Sequence, residues 1–191
     1  LTKIANGGRD AFYIGEIAED IVARLNTLGG LHTLDDFASC SADYVEPINT
    51  LYNNHTISEC PPNGQGICAL IILRVLSRYN LKGLKEVDRI HLLAEATKLA
   101  YHQRNAYISD PSFSEIPVDW LLSDGHITAL QKQIDMTKSK SYGPTDFPNH
   151  SDTTYLCCVD RDGNAISFIN SLFSAFGSGI MAPKTGVVLQ N

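Results

Sequence analysis

The spacing of apolar residues along this chain changes from a helical period to a strand period near residue 153. Upstream, three long segments repeat apolar residues at helical spacing: 10–28, 67–79 and 87–107. Downstream, two runs of strand-forming residues, 155–159 and 166–169, flank the turn residue Gly163. Side chains return to the same face about every 3.6 residues in a helix and every second residue in a strand, so an apolar pattern that suits one element does not suit the other. The order therefore predicts an α+β fold with helices and strands in separate layers.

The pattern divides the chain into three regions. Residues 1–136 are predicted to be mostly helical, with one hairpin at 44–60. Residues 137–152 are rich in Lys, Ser, Thr, Gly and Pro and poor in apolar residues, which is typical of an exposed, flexible linker. Residues 153–191 are predicted to form strands. A linker of this kind is accessible and deformable, as a processing site needs to be.

The linker ends directly before two threonines, Thr153 and Thr154. A hydroxyl is a weak nucleophile near neutral pH and needs an adjacent base. If the bond between Asp152 and Thr153 were cut, the new α-amino group of Thr153 would titrate near about 8 and could accept the proton. However, a threonine pair at a strand start is ordinarily only a pair of good strand formers. The pair alone therefore leaves both interpretations open.

Composition and chain ends narrow the class of protein. The 191 residues carry a net charge of −6, which argues against a nucleic-acid partner. No apolar run approaches the roughly 20 residues of a membrane span. The chain starts at Leu1 without an initiator Met or a signal-peptide pattern. We therefore expect an internal fragment of a longer protein.

The five cysteines form no disulfide framework, and the absence of a CxxC pair argues against a zinc site. We expect mostly buried, reduced thiols. Free thiols favour the cytoplasm, but export stays open because the N-terminus is missing. A cysteine hydrolase that uses Cys157 or Cys158 with a histidine is a weaker alternative, because cysteines on strands usually belong to the core.

One stripe of the predicted helix over 87–107 carries His91, Glu95, Lys98 and His102, at spacings of four, three and four residues. Metal binding is one interpretation of such a stripe. The lysine inside it and the lack of an HExxH pattern favour a salt-bridged polar face instead.

Four further features occur in a fixed order. They are Gly29-Gly30-Leu31 before Leu34-Asp35-Asp36, the loop Pro61 to Gly66, the segment Glu95 to Tyr101 running on to Arg104 and Asp110-Pro111, and Thr153-Thr154-Tyr155 with Val159 to Ala165. In this order and spacing they resemble the γ-glutamyltransferase (γ-glutamyltranspeptidase) family of N-terminal nucleophile hydrolases. The resemblance implies part of an αββα sandwich: the later large subunit, the processing junction and the start of the small subunit.

The resemblance also implies the site residues. Thr153 matches the family's nucleophile, which would attack the carbonyl of Asp152 in an N-to-O acyl shift before water releases a free N-terminal Thr153. The freed threonine would form an acyl (γ-glutamyl) ester and pass the acyl group to water or an acceptor amine. Ser171 falls on a second hydroxyl residue that supports the nucleophile. The implied enzyme takes a small-molecule amide substrate, has the rest of its own chain as its partner, and needs no cofactor or metal.

Two positions depart from the family pattern. Tyr155 stands where a histidine is common, and Phe173 stands where an asparagine helps to hold the substrate's α-carboxylate. An aromatic ring cannot donate that hydrogen bond. One alternative is therefore a divergent branch of cephalosporin or glutaryl acylase-like members that act on bulkier acyl groups. Another is an inactive structural fragment that keeps the scaffold without a complete site.

Overall fold

The computed structural model describes residues 1–142 and 154–191, which form two compact units. One unit combines the first 42 residues with 154–191, and the other begins at Asp43. The first carries α1 (Thr2–Tyr13), α2 (Glu16–Thr27), α3 (Leu34–Ala38), β3 (Thr154–Val159) and β4 (Ala165–Asn170). The second carries β1 (Ile48–Tyr52), β2 (His55–Glu59), α4 (Gly66–Leu76), a 3₁₀ turn (Leu81–Gly83), α5 (Glu86–Tyr107), α6 (Val118–Leu121) and α7 (Asp124–Gln131). This mixture of helices and antiparallel hairpins confirms the α+β prediction.

The second unit is built on the packing of α4 against α5. α4 is apolar over nearly its whole length because neighbouring elements cover it. The buried cluster consists of Ile67, Cys68, Ile71, Val75, Leu76, Leu92, Ala96, Leu99, Ala100, Leu121, Ile127 and Leu130. Complete burial of one such leucine contributes about 1.5–3 kcal/mol relative to exposure. The hairpin of β1 and β2 turns at Asn53 and Asn54, whose φ angles of 49° and 65° suit asparagine.

The predicted helix over 87–107 is confirmed by α5, which spans 22 residues. Glu86 and Asp88 lie in its first turn, where carboxylates interact favourably with the helix dipole. The helix ends at Tyr107, because the backbone of Ile108 is extended. Pro111 further disfavours a helical conformation at the residue before it, Asp110. One face of α5 is buried and includes the charged residue Glu95.

In the first unit, the single helix predicted over 10–28 is wrong at its start. α1 ends at Tyr13 and α2 begins at Glu16, because Gly15 between them has a φ of 102°, which no helix allows. Ile17 and Ile21 of α2 pack with Ala182 in a small core. The chain pattern did not reveal this break, since a lone glycine inside a helical repeat is tolerated.

A buried carboxylate ties α2 to the C-terminal residues. Oδ2 of Asp20 accepts hydrogen bonds from the backbone N–H groups of Lys184 and Thr185, at 2.9 and 2.8 Å, and from Oγ1 of Thr185 at 2.8 Å. Burial alone would raise the pKa of Asp20, but these bonds and the Lys184 charge more than offset it, so the pKa lies below its usual value.

The hairpin of β3 and β4 pairs Thr154 with Asn170 at its open end and Val159 with Ala165 at its turn. The Asp160 carboxylate fixes the turn, since it accepts bonds from the N–H of Asp162 and from both nitrogens of Asn164. Every residue of both strands is exposed. An isolated hairpin is only marginally stable in water, so exposure on both faces leaves its apolar side chains without the burial that stabilises a sheet.

The cysteines are less buried than predicted. All five are free, but only Cys68 is buried, so the expectation of mostly buried thiols is wrong for the other four. Cys157 and Cys158 are exposed because they lie on a strand that is uncovered on both faces. Within the described part of the chain, no helix combines the length and apolar character that crossing a bilayer demands.

Candidate active site

Two of the predicted site residues, Asp152 and Thr153, lie outside the described residues, and their roles stay predictions. The described chain resumes at Thr154, the first residue of β3. Thr154 pairs with Asn170, the last residue of β4. The open end of the hairpin is therefore the place where the predicted nucleophile region meets the chain that leaves β4.

Ser171 directly follows β4 at this open end and is half-buried. Its Oγ accepts a hydrogen bond from the backbone N–H of Phe173 at 2.9 Å. This bond fixes the position of the serine oxygen through the backbone two residues ahead. The structure thus places a held hydroxyl next in sequence to the strand residue that pairs with Thr154.

Phe173 adopts a left-handed backbone conformation with a φ of 73°. A bulky side chain in this region is unusual, and such a residue costs roughly 1–3 kcal/mol of local strain. The ring remains 39% exposed, so complete burial does not offset the strain. Strained residues of this kind concentrate at functional sites, and this one supplies the N–H that holds Ser171.

The loop after Ser171 is closed by the last residue of the chain, Asn191. Its Oδ1 accepts from the backbone N–H of Ser174 at 2.9 Å, and its Nδ2 donates to Oγ of Ser174 at 3.2 Å. Gly177 lies so close to this returning segment that a Cβ would stand 2.2 Å from the carbonyl oxygen of Leu189. Nothing in the local pattern predicted the role of Asn191, because the contact joins residues that are 17 positions apart.

Tyr155 lies on the hairpin face that also carries Ser167. Oγ of Ser167 donates a hydrogen bond to the Tyr155 phenol oxygen at 3.2 Å. The phenol hydrogen remains available to another acceptor, since this bond uses only the oxygen lone pair. Tyr155 can therefore contribute a hydrogen-bond donor at this exposed face.

The prediction of a salt-bridged polar face on α5 is confirmed at Glu95 and Lys98, and this face is partly covered by other parts of the chain. Glu95 and Lys98 form an ion pair, and the Glu95 side chain is only 1% exposed. His91 contacts the carbonyl of Asp135 at 2.9 Å, and the rings of His102 and Tyr142 lie 5.7 Å apart. Across residues 1–142 and 154–191, no three potential ligand side chains come together in a way that could hold a metal ion.

The cysteine-hydrolase alternative gains no support from the hairpin. Cys157 and Cys158 occupy successive positions on β3, so their side chains point to opposite faces. The hydrogen bonds and ring contacts of the described histidines go to other residues, such as Asn53, Gln103 and Trp120. None of the hydrogen bonds in the described part of the chain joins a histidine to either thiol.

With the fold and the site defined, similarity to known proteins identifies the family. A sequence profile of the family described as gamma-glutamyltranspeptidase matches residues 1–191. The chain belongs to this family. The glutathione hydrolase-like YwrD proenzyme of Bacillus subtilis (strain 168) is 36% identical over 193 residues, which cover 100% of this chain and 36% of that protein. The glutathione hydrolase proenzyme of Escherichia coli (strain K12) is 35% identical over 199 residues, covering 100% of this chain and 34% of that protein.

A solved structure supports the same assignment. The crystal structure of cephalosporin acylase from Bacillus halodurans superimposes with a TM-score of 0.86 at 35% identity, over 99% of this chain and 34% of that one. The gamma-glutamyltranspeptidase family resemblance and the α+β fold are therefore both confirmed. The chain spans about a third of the length of each of these three relatives.

Proposed function

We propose that the protein is an amide hydrolase or acyltransferase that processes itself between Asp152 and Thr153 and then uses Thr153 as its nucleophile. The observation that carries this proposal is the register of the β3–β4 hairpin. Thr154 pairs with Asn170, and Ser171 follows with its Oγ held by the Phe173 N–H. Ser171 thus follows the strand residue that pairs with Thr154, the neighbour of Thr153 in sequence.

The proposed processing step consumes one water molecule. The Thr153 hydroxyl oxygen attacks the carbonyl carbon of Asp152, the peptide C–N bond breaks, and the nitrogen takes up the proton to become a free amine. The resulting ester joins Asp152 to the Thr153 oxygen. Water then hydrolyses this ester, which leaves a carboxylate on Asp152 and a free hydroxyl and α-amine on Thr153.

In turnover, the α-amine of Thr153 would act as general base for its own hydroxyl. An amine that titrates near about 8 is suited to this at neutral pH. The hydroxyl attacks the substrate amide, the amine leaving group takes the proton, and an acyl-enzyme forms. Water or an acceptor amine then removes the acyl group, which predicts ping-pong kinetics. Ser171 would support the nucleophile by hydrogen bonding.

The proposed donor is a γ-glutamyl amide of the glutathione type. Relatives named glutathione hydrolase proenzyme support this class. A cephalosporin or glutaryl acylase-like activity is the second candidate, favoured by the partly exposed ring of Phe173, whose backbone adopts a left-handed conformation. An aromatic side chain in the loop after Ser171 would favour bulkier acyl groups over a donor that needs a polar contact from that position.

Intact-mass analysis of the full-length protein over time tests this proposal. The wild type should convert to two fragments whose masses place the cut at Asp152–Thr153, and Thr153→Ala should stay whole. Thr153→Ser is the matched control, because it keeps a hydroxyl and should still cut. Cleavage of Thr153→Ala at the same bond would refute self-processing. Comparing γ-glutamyl anilide with a glutaryl amide then distinguishes the two candidate activities.

A further inference from the structure

The polar stripe on α5 forms a continuous contact with one later segment of the chain. Its four members, His91, Glu95, Lys98 and His102, each touch a residue between Asp135 and Tyr142. The contacts advance in the same direction along both segments. The stripe therefore holds the chain up to Tyr142, the residue where the description of this region ends.

The segment is first turned onto α5 at Asp135. The Asp135 carboxylate accepts hydrogen bonds from the backbone N–H and the hydroxyl of Thr137, at 2.8 and 2.7 Å. Nε2 of His91 lies 2.9 Å from the Asp135 carbonyl oxygen, so the imidazole donates to it when Nε2 carries the hydrogen. Side chain and backbone of one residue thus define the direction in which the chain leaves.

The ion pair of Glu95 and Lys98 holds the middle of the segment. Nζ of Lys98 donates to Oγ of Ser139 at 2.9 Å and to the carbonyl oxygen of Lys140 at 2.7 Å. The Lys140 backbone N–H donates to the Glu95 carboxylate at 3.3 and 3.4 Å. The pair therefore binds both the backbone donor and the backbone acceptor of Lys140, while Oγ of Ser139 and the ring of Tyr142 supply the side-chain contacts that select the register.

Tyr142 completes the contact. Its ring lies 5.7 Å from that of His102, and the ammonium of Lys140 stands 5.0 Å from the ring centre. The ring also packs against the α4–α5 core. Its buried hydroxyl has no hydrogen-bond partner among the described residues, so the ring rather than the hydroxyl anchors the chain.

Stability alone is a poor reason for a buried ion pair at this place. An apolar pair of similar volume is often as stabilising, whereas a buried pair is best attested as a device that selects one register. Reactions between groups on one chain depend strongly on such placement, since about 1 Å of misplacement can cost on the order of 100-fold in rate. The segment held here is the one that leads to the proposed processing bond.

We infer that the α5 stripe positions the chain for self-processing, with Glu95 and Lys98 as positioning residues and Tyr142 as the anchor. This inference rests on the proposed cleavage at Asp152–Thr153. The stripe has no part in turnover, so a variant of Glu95 or Lys98 should show the wild-type turnover number once it has been processed.

The magnitude of the effect separates positioning from simple tethering. Suppose that loss of the stripe only moved the last held residue from Tyr142 back to Met136. The chain to Thr153 would lengthen from 11 to 17 residues, and the loop-closure relation predicts a loss of only about twofold in rate. Loss of a defined register predicts a loss of about tenfold or more.

The test compares processing rates by intact mass in the full-length protein. Glu95→Gln should slow cleavage about tenfold or more, without changing the bond that is cut. Tyr142→Phe keeps the anchoring ring and should process at the wild-type rate. Ile127→Val removes a methyl group from the same core away from the stripe, so it controls for reduced stability. Lys98→Gln repeats the test at a less buried position in case Glu95→Gln fails to fold.

The outcomes are distinguishable from those of the proposed function. Slow cleavage of Glu95→Gln, followed by wild-type turnover once processing is complete, supports the inference. Cleavage within about twofold of wild type, or no slower than in Ile127→Val, overturns it while leaving Thr153 chemistry intact. A wild-type protein that never cleaves at Asp152–Thr153 overturns both.

Discussion

Removing the Glu95 charge and removing the Lys98 charge should lower the free energy of unfolding by different amounts. The Glu95 side chain is 1% exposed and the Lys98 side chain 22% exposed. Removing one partner of a fully buried pair typically costs about 3–5 kcal/mol of unfolding free energy. In Glu95→Gln, the Lys98 ammonium keeps some water and two neutral acceptors, Ser139 and Lys140. We therefore expect a smaller loss, about 1–3 kcal/mol, for this variant.

Lys98→Met should be worse, because it leaves a carboxylate with almost no access to water. We expect the full range of about 3–5 kcal/mol for that variant. The double variant Glu95→Gln/Lys98→Met removes both charges and should be less destabilised than Lys98→Met alone. The coupling energy of this double-mutant cycle should be about 1 kcal/mol or more.

The effect should also depend on pH. Burial alone would raise the pKa of Glu95, but the hydrogen bond and charge of Lys98 and the Lys140 N–H more than offset it, so the pKa is lowered. A lowered pKa means that the stabilisation is complete above the unfolded value, near about 4.3, and is lost as pH falls through the folded value. The Lys98 charge favours the ionised form of Glu95, while burial and then the Glu95 charge raise the pKa of the Tyr142 phenol. The difference between wild type and Glu95→Gln should thus shrink below about pH 4.

Urea unfolding of the four proteins at pH 7 and in acid provides the assay. Trp120, the single tryptophan, lies in the same unit as α5 and reports on its unfolding. A coupling energy near zero at pH 7 would refute the claim that the two charges depend on each other. A Glu95→Gln deficit that stays constant down to acid pH would refute the assigned ionisation.

Three further changes test the fold and the site. Leu99→Ala should lower the unfolding free energy by about 2–5 kcal/mol, whereas the half-exposed Leu93→Ala on the same helix should change it by less than about 1; equal losses would contradict the assigned core face. Phe173→Asn should relieve left-handed strain and raise the ratio of γ-glutamyl to bulkier acyl-amide turnover, and an unchanged ratio would exclude Phe173 from substrate contact. Asn191→Ala should open the loop at Ser174 and lower the turnover number of the processed protein in steady-state assays. An unchanged turnover number would contradict the assigned role of Asn191.

Local features of the fold were predictable from the chain. α5 shows its period over many turns, and the β3–β4 hairpin shows its turn at Gly163, which has a φ of 84°. Both depend on residues close in sequence. The break at Gly15 was missed, because its positive φ is a matter of backbone conformation that an apolar repeat does not encode.

Long-range contacts account for what the sequence could not predict. The sequence predicted the α5 stripe as a salt-bridged polar face but not the segment that covers it, because that segment lies more than 40 residues away, as in the contact of Lys98 with Lys140. Likewise, the loop that contains Phe173 is closed by Asn191, 17 residues beyond Ser174. For the nucleophile, residue chemistry alone left both interpretations of Thr153 open, and the family pattern was needed to favour the catalytic one.

N-terminal sequencing of the small fragment from the full-length protein tests the central claim most directly. The account predicts a sequence that begins Thr-Thr-Tyr-Leu, with Thr153 first, and its absence in Thr153→Ala. A protein that is active on amide substrates while uncut, or cut at any other bond, would contradict it.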